Sequence, residues 1–532
     1  MHRLFKGLVA VVFGLSLCLC GCSTNKAPQD DNSVVLAMDI EPPQGFDPIV
    51  TTHYAGLFQS ALLKRDMDLN LVGDLAESYD VSDDGRTIDV TLKDNLKFSD
   101  GSPLRPLDVV FTFNEAKNNP ASSTDLSELE NIQATEDNHV VFTLSQPNIF
   151  FVDKLAGLGI VPEASYGQDY GTNPIGSGPL KLIQWKPGEQ LICEPNPYYY
   201  GSKINYDKVV ILFTNPDAAG VLAKSQSADV IRIPCEMSAE SFEGYHLVSL
   251  KTCDNRGIAL PYLPDTGKTT DDSCLVSGAP LGNKVTSDKA IRKALNIAID
   301  RQALIEGALL GQGSPAYSIC DGMPWNNSQA NLDEDGNVAL ANKILDEAGW
   351  KTSADGIREK QGVKASFELW FAYKDRENLA LAFCDTAKKI GLEVTPHYAD
   401  WSEVEKHMYS QAVLFGWGGY NPVDVYYNYS STTKGYEYYN SNFYGNKDVD
   451  AHLEKAKHSL SMKEAEHELK LAQWDGSQGF SSKGDCPWVW LVNENHCYLV
   501  RDGLDIGKQK IQPHAGGWPV IETISSWKRT ND

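Results

Sequence analysis

The sequence predicts an α/β protein, and three observations carry that prediction. Hydrophobic residues alternate with a period of two through much of the first half, as strands require, and switch to a helical period after Ser287. Strand-like and helix-like segments then alternate through the second half. The run from ASFELWFAY to ENLALAFCDTAKKIGLEVTPHYADW reads as strand, helix, Gly391 stop and strand, a βαβ-like element.

The elements follow in order. SVVLAMDI reads as a strand and EPPQGFDP as its turn-rich exit. A hairpin is expected in LAESYDVSDDGRTIDVTL, where Ile88, Val90 and Leu92 alternate with polar neighbours and Asp84-Gly85 supplies the turn. PLDVVFTFNEAKNNP follows as a helix ended by Asn-Pro, HVVFTL as a strand, and GSGPLKLIQWKPGEQLICEPNPYYYG as a strand pair about a Pro-Gly turn. In SDKAIRKALNIAIDRQALIEGALLGQG, Ile291, Leu295, Ala298 and Ile299 share one helical face; Asp300 caps a second helix and Gly311 ends it. ALANKILDEAGW repeats the helical period, and PWVWLVNENH reads as a strand and turn. No internal repeat or low-complexity segment interrupts this pattern.

The chain begins MHRLFKG, then LVAVVFGLSLCL, then LCGC and the polar STNKAPQDDN. A basic start and an apolar core too short for a bilayer of about 30 Å mark a secretory signal over residues 1–21. Leu19-Cys20-Gly21-Cys22 resembles the bacterial lipobox, so Cys22 is the expected diacylated new N-terminus. Losing Arg3 and Lys6 moves the formal charge from −24 to −26. An acidic surface of that kind argues against nucleic-acid and anionic-membrane partners. About 510 mature residues suggest roughly three domain-sized units.

Eight cysteines follow Cys22: Cys193, Cys235, Cys253, Cys274, Cys320, Cys384, Cys486 and Cys497. An exported chain tolerates disulfides, and eight cysteines allow about 105 pairings. Cys486 with Cys497, flanking PWVWLVNENH, is the first pairing expected, and Cys253 with Cys274 the second; buried free thiols are the alternative.

Nothing in the sequence asks for catalysis. A G-x-S-x-G elbow, H-E-x-x-H, a P-loop and a Rossmann fingerprint are all absent. His452, His458 and His467 lie at spacings that do not stack on one helical face, so no metal site or cofactor is expected. The unusual stretch is Leu414–Asn446, LFGWGGYNPVDVYYNYSSTTKGYEYYNSNFYGN, whose only charges are Asp424, Lys434 and Glu437. Aromatic residues in a loop opened by glycine suit ligand contact: they supply rigid area at little entropic cost.

Several strings together resemble one family. LAESYDVSDDGRTIDVTLKDNLKFSDGSPLRPLDVVFTF looks like the signature of the family 5 solute-binding proteins for peptides and nickel that serve ABC importers. The likeness continues through PIGSGPLKLIQWKPGEQLICEPNPYYYGSKINYDKVVI, SDKAIRKALNIAIDRQALIEGALLGQGSPA, ANKILDEAGW, GWGGYNPVD, NSNFYGNKDVDAHLEKA and DCPWVWLVNENHCYLVRDGL, in the expected order. The resemblance implies a periplasmic-binding-protein clamshell (type II, cluster C): two lobes joined by two chain crossings, and an extra domain on one lobe. The first lobe would take residues 23–51, 175–256 and 490–532, the extra domain 52–174, and the second lobe 257–489.

The resemblance also implies a ligand site. Relatives clamp a peptide amine with an aspartate a few residues after the Gly-Trp of the aromatic loop. Here Trp417, Gly418, Gly419, Tyr420 and Asn421 occupy that stretch without a carboxylate, leaving Asn421 or the displaced Asp424 as its substitute. The peptide carboxylate would meet a basic residue in YKDREN, Arg376 being favoured over Lys374 for its bidentate geometry. Thr52, His53 and Tyr54 stand where relatives touch ligand backbone from the other lobe.

These readings define a lipid-anchored, monomeric, periplasmic or cell-surface binding protein. It would capture oligopeptides or dipeptides by hinge closure and deliver them to ABC permease subunits in the inner membrane. The alternatives are the same fold with a muropeptide, a nickel complex or haem as ligand, or, in another class, a secreted peptide or glycan hydrolase.

Overall fold

The computed structural model describes residues 32–51, 56–135, 138–514 and 516–530. The signal segment 1–21, the lipidation residue Cys22, and Thr52, His53 and Tyr54 lie outside these residues.

Two large mixed sheets organise the molecule. The first has seven strands in the order Tyr245–Leu250, His496–Arg501, Val230–Ile233, Ser33–Met38, Lys208–Phe213, Gln190–Pro195 and Leu180–Lys186. Its middle strands are parallel, Ser33–Met38 pairing with Lys208–Phe213 and with Val230–Ile233, while both flanks are antiparallel. The second has six: Gly313–Pro315, Trp488–Glu494, Asn255–Ala259, Ala412–Phe415, Ser366–Phe371 and Glu393–Tyr398. The expected βαβ element lies at its edge, where Ser366–Phe371 and Glu393–Tyr398 run parallel and the helix Glu377–Lys389 connects them. A separate four-stranded antiparallel sheet, Ala76–Val81, Thr87–Leu92, His139–Leu144 and Leu129–Ala134, carries the predicted hairpin and packs on the helix Pro106–Asn118.

Local chemistry explains the helices. Ile291, Leu295 and Ala298, with Ile299 just past the helix end, are buried together as their spacing predicts. The Asp300 carboxylate accepts from the Ala303 N–H at 2.9 Å, starting the next helix, and Gly311 (φ 82°) turns the chain after it. Two elements differ from the reading of the sequence. His452, His458 and His467 do not share one helix: Lys447–Lys457 stops, and Ser461 caps a second helix, Met462–Gln473, by accepting from the Glu464 N–H. Inside the aromatic stretch, Val423–Tyr429 is helical rather than loop.

The chain crosses between the large sheets twice, from Tyr245–Leu250 into Asn255–Ala259 and from Trp488–Glu494 into His496–Arg501. The second crossing corrects the expected pairing of Cys486 with Cys497. PWVWLVNENH contains no hairpin turn: it runs straight from one sheet into the next, and an extended run of that length separates its ends by more than about 20 Å. All eight cysteines, Cys253 and Cys274 included, are free thiols. Cys486 instead donates to the Ser482 carbonyl at 2.9 Å.

Candidate functional site

Between the sheets lies a cleft of about 580 Å³, lined from three sides. The six-stranded lobe contributes Tyr373, Arg376, Trp401, Phe415 to Tyr420, Asp424 and Tyr438; the C-terminal segment on the seven-stranded lobe contributes Pro513, His514, Pro519 and Glu522; the helix Phe151–Gly157 contributes Ala156 and Gly157. The size suits a small organic ligand.

The aromatic loop reaches this position because the strand Ala412–Phe415 pairs with Asn255–Ala259 and the chain continues along the first crossing. Two hydrogen bonds tie Trp417 to Asn255: its N–H donates to Asn255 Oδ1 and its carbonyl accepts from the Asn255 N–H, each at 2.9 Å. Two glycines permit this approach. A Cβ on Gly416 would stand 1.8 Å from the Asn255 carbonyl oxygen, and one on Gly418 2.6 Å from the Cys253 carbonyl oxygen. Their glycine character therefore serves contact with the crossing backbone, where the sequence alone suggested contact with a ligand.

Trp417 forms one wall. Its ring stacks on Tyr439 with centroids 4.4 Å apart, and Phe415, Trp401, Tyr438 and Tyr373 continue the aromatic lining. Its indole Nε1–H is buried without a hydrogen-bond partner, so a ligand carbonyl there would satisfy a donor that now costs free energy.

Of the acidic and basic groups that line the cleft, Glu522 pairs with Lys510 and His514 with Asp254, whereas among the described residues Asp424 and Arg376 belong to no ion pair. Asp424 sits at the start of the helix Val423–Tyr429, and its Oδ1 accepts from the Tyr439 hydroxyl at 3.2 Å. Burial pushes its carboxyl up to about 7, against the lowering effect of that hydrogen bond. Arg376 lies over the Tyr373 ring at 4.5 Å, and its Nε is buried without a partner. Burial first, and then the charge of Arg256, lower it to about 10, which leaves it cationic at neutral pH. Lys374 turns to the surface, bonded to Glu377 at 2.6 Å.

Asn421 is not part of the lining. Its side-chain oxygen accepts from the Val423 N–H at 3.1 Å, and its carbonyl accepts from the Asp424 N–H, so it starts the short helix that presents Asp424. Tyr420 lines the cleft but spends its hydroxyl on the Ile511 carbonyl.

Beneath the site the crossings are joined by buried charge. Asp254 accepts from both Arg256 Nη atoms, from His514 Nδ1 at 2.7 Å, and approaches His496 Nε2 at 3.5 Å; Arg256 also reaches Glu494 at 3.0 Å. Although burial opposes ionisation, Arg256, His514 and His496 hold the Asp254 carboxyl well below its usual range. Burial lowers His496 to about 4, so it stays neutral. These residues, with Tyr439 and the C-terminal contributors, were not singled out in the sequence. The charged network joins segments more than two hundred residues apart, which no local motif records.

A two-lobed clamshell with an aromatic cleft over paired crossings defines a solute-binding protein. The chain matches the family model described as "Bacterial extracellular solute-binding proteins, family 5 Middle" over residues 70–439, and it belongs to that family. It is 33% identical to Protein XP55 of Streptomyces lividans over 84% of this chain and 80% of that one. It is 29% identical to the oligopeptide-binding protein AppA of Bacillus subtilis over 94% and 95% of the two chains. The solved structure of NikZ from Campylobacter jejuni in complex with Ni(L-His) shares the fold, with TM-score 0.72 and 22% identity over 93% of this chain and 99% of that one. The relatives are substrate-binding proteins of ABC transporters rather than enzymes, and family 5 binding proteins are extracytoplasmic. Among the described residues no helix is long and apolar enough to cross a membrane.

Proposed function

We propose that this protein captures short peptides in the Trp417 cleft by closure of the two lobes and delivers them to an ABC permease, held at the membrane by lipidated Cys22 and acting as a monomer. The observation that carries the reading is that Asp424 and Arg376, an acid and a base without an ion-pair partner among the described residues, line one aromatic cleft. A peptide has an ammonium at one end and a carboxylate at the other, and a guanidinium can bind the latter bidentately. Asp424 takes the amine-binding role; Asn421 supports it from behind. The unpaired indole N–H of Trp417 is suited to a peptide carbonyl between the ends. The domain limits proposed for the moving parts are residues 23–51, 175–256 and 490–532 for one lobe, 52–174 for the extra domain and 257–489 for the other lobe. The oligopeptide-binding name of AppA supports the ligand class.

Native mass spectrometry of protein recovered without denaturation identifies what co-purifies. A family of short peptides is expected, and amino-terminal acetylation of the same peptides should weaken binding at least tenfold. Recovery of only sugar-bearing or metal-chelate ligands, or equal affinity for acetylated peptides, would overturn the proposal.

A further inference from the structure

Of the free thiols, Cys235 and Cys497 stand out by their position. Cys497 is the second residue of the strand His496–Arg501, just after the second crossing, and is paired across the sheet with Ile233. Cys235 follows Ile233 by two residues, at the start of the 3-10 turn Cys235–Ala239. The antiparallel register therefore brings the two side chains together at the end of the sheet nearest the other lobe. Both converge on one residue of that lobe: Cys235 Sγ lies 3.9 Å from the Gln312 carbonyl oxygen, and Cys497 Sγ 3.8 Å from Gln312 Oε1. Cys235 Sγ is also 3.5 Å from the Asn495 carbonyl oxygen within the crossing.

We infer that Cys235 and Cys497 form a disulfide under oxidising conditions, a covalent staple at the hinge. Extracytoplasmic surroundings favour such bonds; the register sets Cys235 two positions beyond Ile233, the residue paired with Cys497, and both sulfurs close on Gln312. Every residue between 235 and 497, and so the whole six-stranded lobe with both crossings, would lie inside the ring that the bond closes. A ring of that size strongly restricts the unfolded chain. Cys497 is the attacking thiol: the neighbouring Cys235, then the Ser249 hydroxyl 3.9 Å away and the charge of Arg232, lower it against the opposing effect of burial. With a low-molecular-weight disulfide such as oxidised glutathione as oxidant, Cys497 thiolate attacks one glutathione sulfur and expels the other as thiolate. Cys235, losing its proton, then attacks Cys497 Sγ and expels the second glutathione. Two protein thiols are oxidised, one glutathione disulfide is reduced to two thiols, and the two protons pass to the leaving thiolates.

The test refolds the full chain from the reduced, denatured state in a glutathione redox buffer, traps free thiols with iodoacetamide and maps the products by mass spectrometry without reduction. A peptide linking Cys235 to Cys497 is expected, with a Tm several degrees above that of the reduced protein. Cys235→Ser and Cys497→Ser should each abolish both effects, and the double variant should melt with the reduced wild type, showing that it folds. Alkylation of both thiols, a lasting glutathione adduct on either, or a bond from Cys497 to Cys486 or any other cysteine would overturn the inference.

Discussion

Asp424 faces two competing demands. Burial favours its neutral form, with the carboxyl pushed up to about 7, while a ligand ammonium would favour the anion. If Asp424 receives the amine, binding must expel its proton. Because the group is largely protonated below pH 7, titration calorimetry in buffers of different ionisation enthalpy should report proton release at pH 6 that gives way, towards pH 8, to uptake by the peptide amine. Asp424→Asn should release none. The same shift acts on stability. The folded carboxyl is raised above its unfolded value, so its contribution is fully present below about pH 4 and is lost as pH rises through about 7. The sequence left Asn421 and the displaced Asp424 both open at this site; that Asn421 faces the helix rather than the cleft depends on the fold. A sequence states which donors exist, and backbone geometry decides where they point.

At the scale of an element, the glycine-rich turn after Ala412–Phe415 is a packing device. Gly416→Ala places a methyl group against the Asn255 carbonyl, with 1.8 Å available, so the turn or the crossing must shift. A loss of about 2 kcal/mol or more in denaturant unfolding is expected. Gly307→Ala, in the helix Arg301–Ala308 with nothing within 4 Å of where the added methyl group would stand, should instead stabilise by about 0.5–1 kcal/mol. Regular elements were readable where periodicity was strong: the faces of Lys289–Ala298 and of the strand Thr87–Leu92 are buried as their patterns require. The helix Val423–Tyr429 was not, because four of its seven residues are aromatic or asparagine in a run whose β propensity hides a helix started by Asn421.

On the scale of the whole molecule, the two lobes meet where buried Asp254, Arg256 and His496 join Glu494 and the exposed His514 in one network. Replacing Asp254 by Asn leaves Arg256 with only Glu494 as a charged partner. The expected cost at pH 7 is about 3 kcal/mol in urea unfolding. Asp254 is held below its unfolded value, so its contribution is present at neutral pH and is lost as pH falls through the acid range. The gap between variant and wild type should accordingly narrow below about pH 4. A gap that stayed constant with pH would mean that packing, not charge, joins the crossings here.

The sequence by itself determined the α/β class, the order of strands and helices, the family and the segment that walls the cleft, because these reside in local periodicity and contiguous strings. Only the tertiary structure decided that PWVWLVNENH crosses between sheets instead of turning back, that Cys497 faces Ile233 across the sheet far from Cys486, and that a segment from the far C-terminus lines the cleft with Trp417. Those outcomes depend on the register between strands hundreds of residues apart. Register is set by which apolar faces find one another in the folded core, and no short stretch of sequence contains that information.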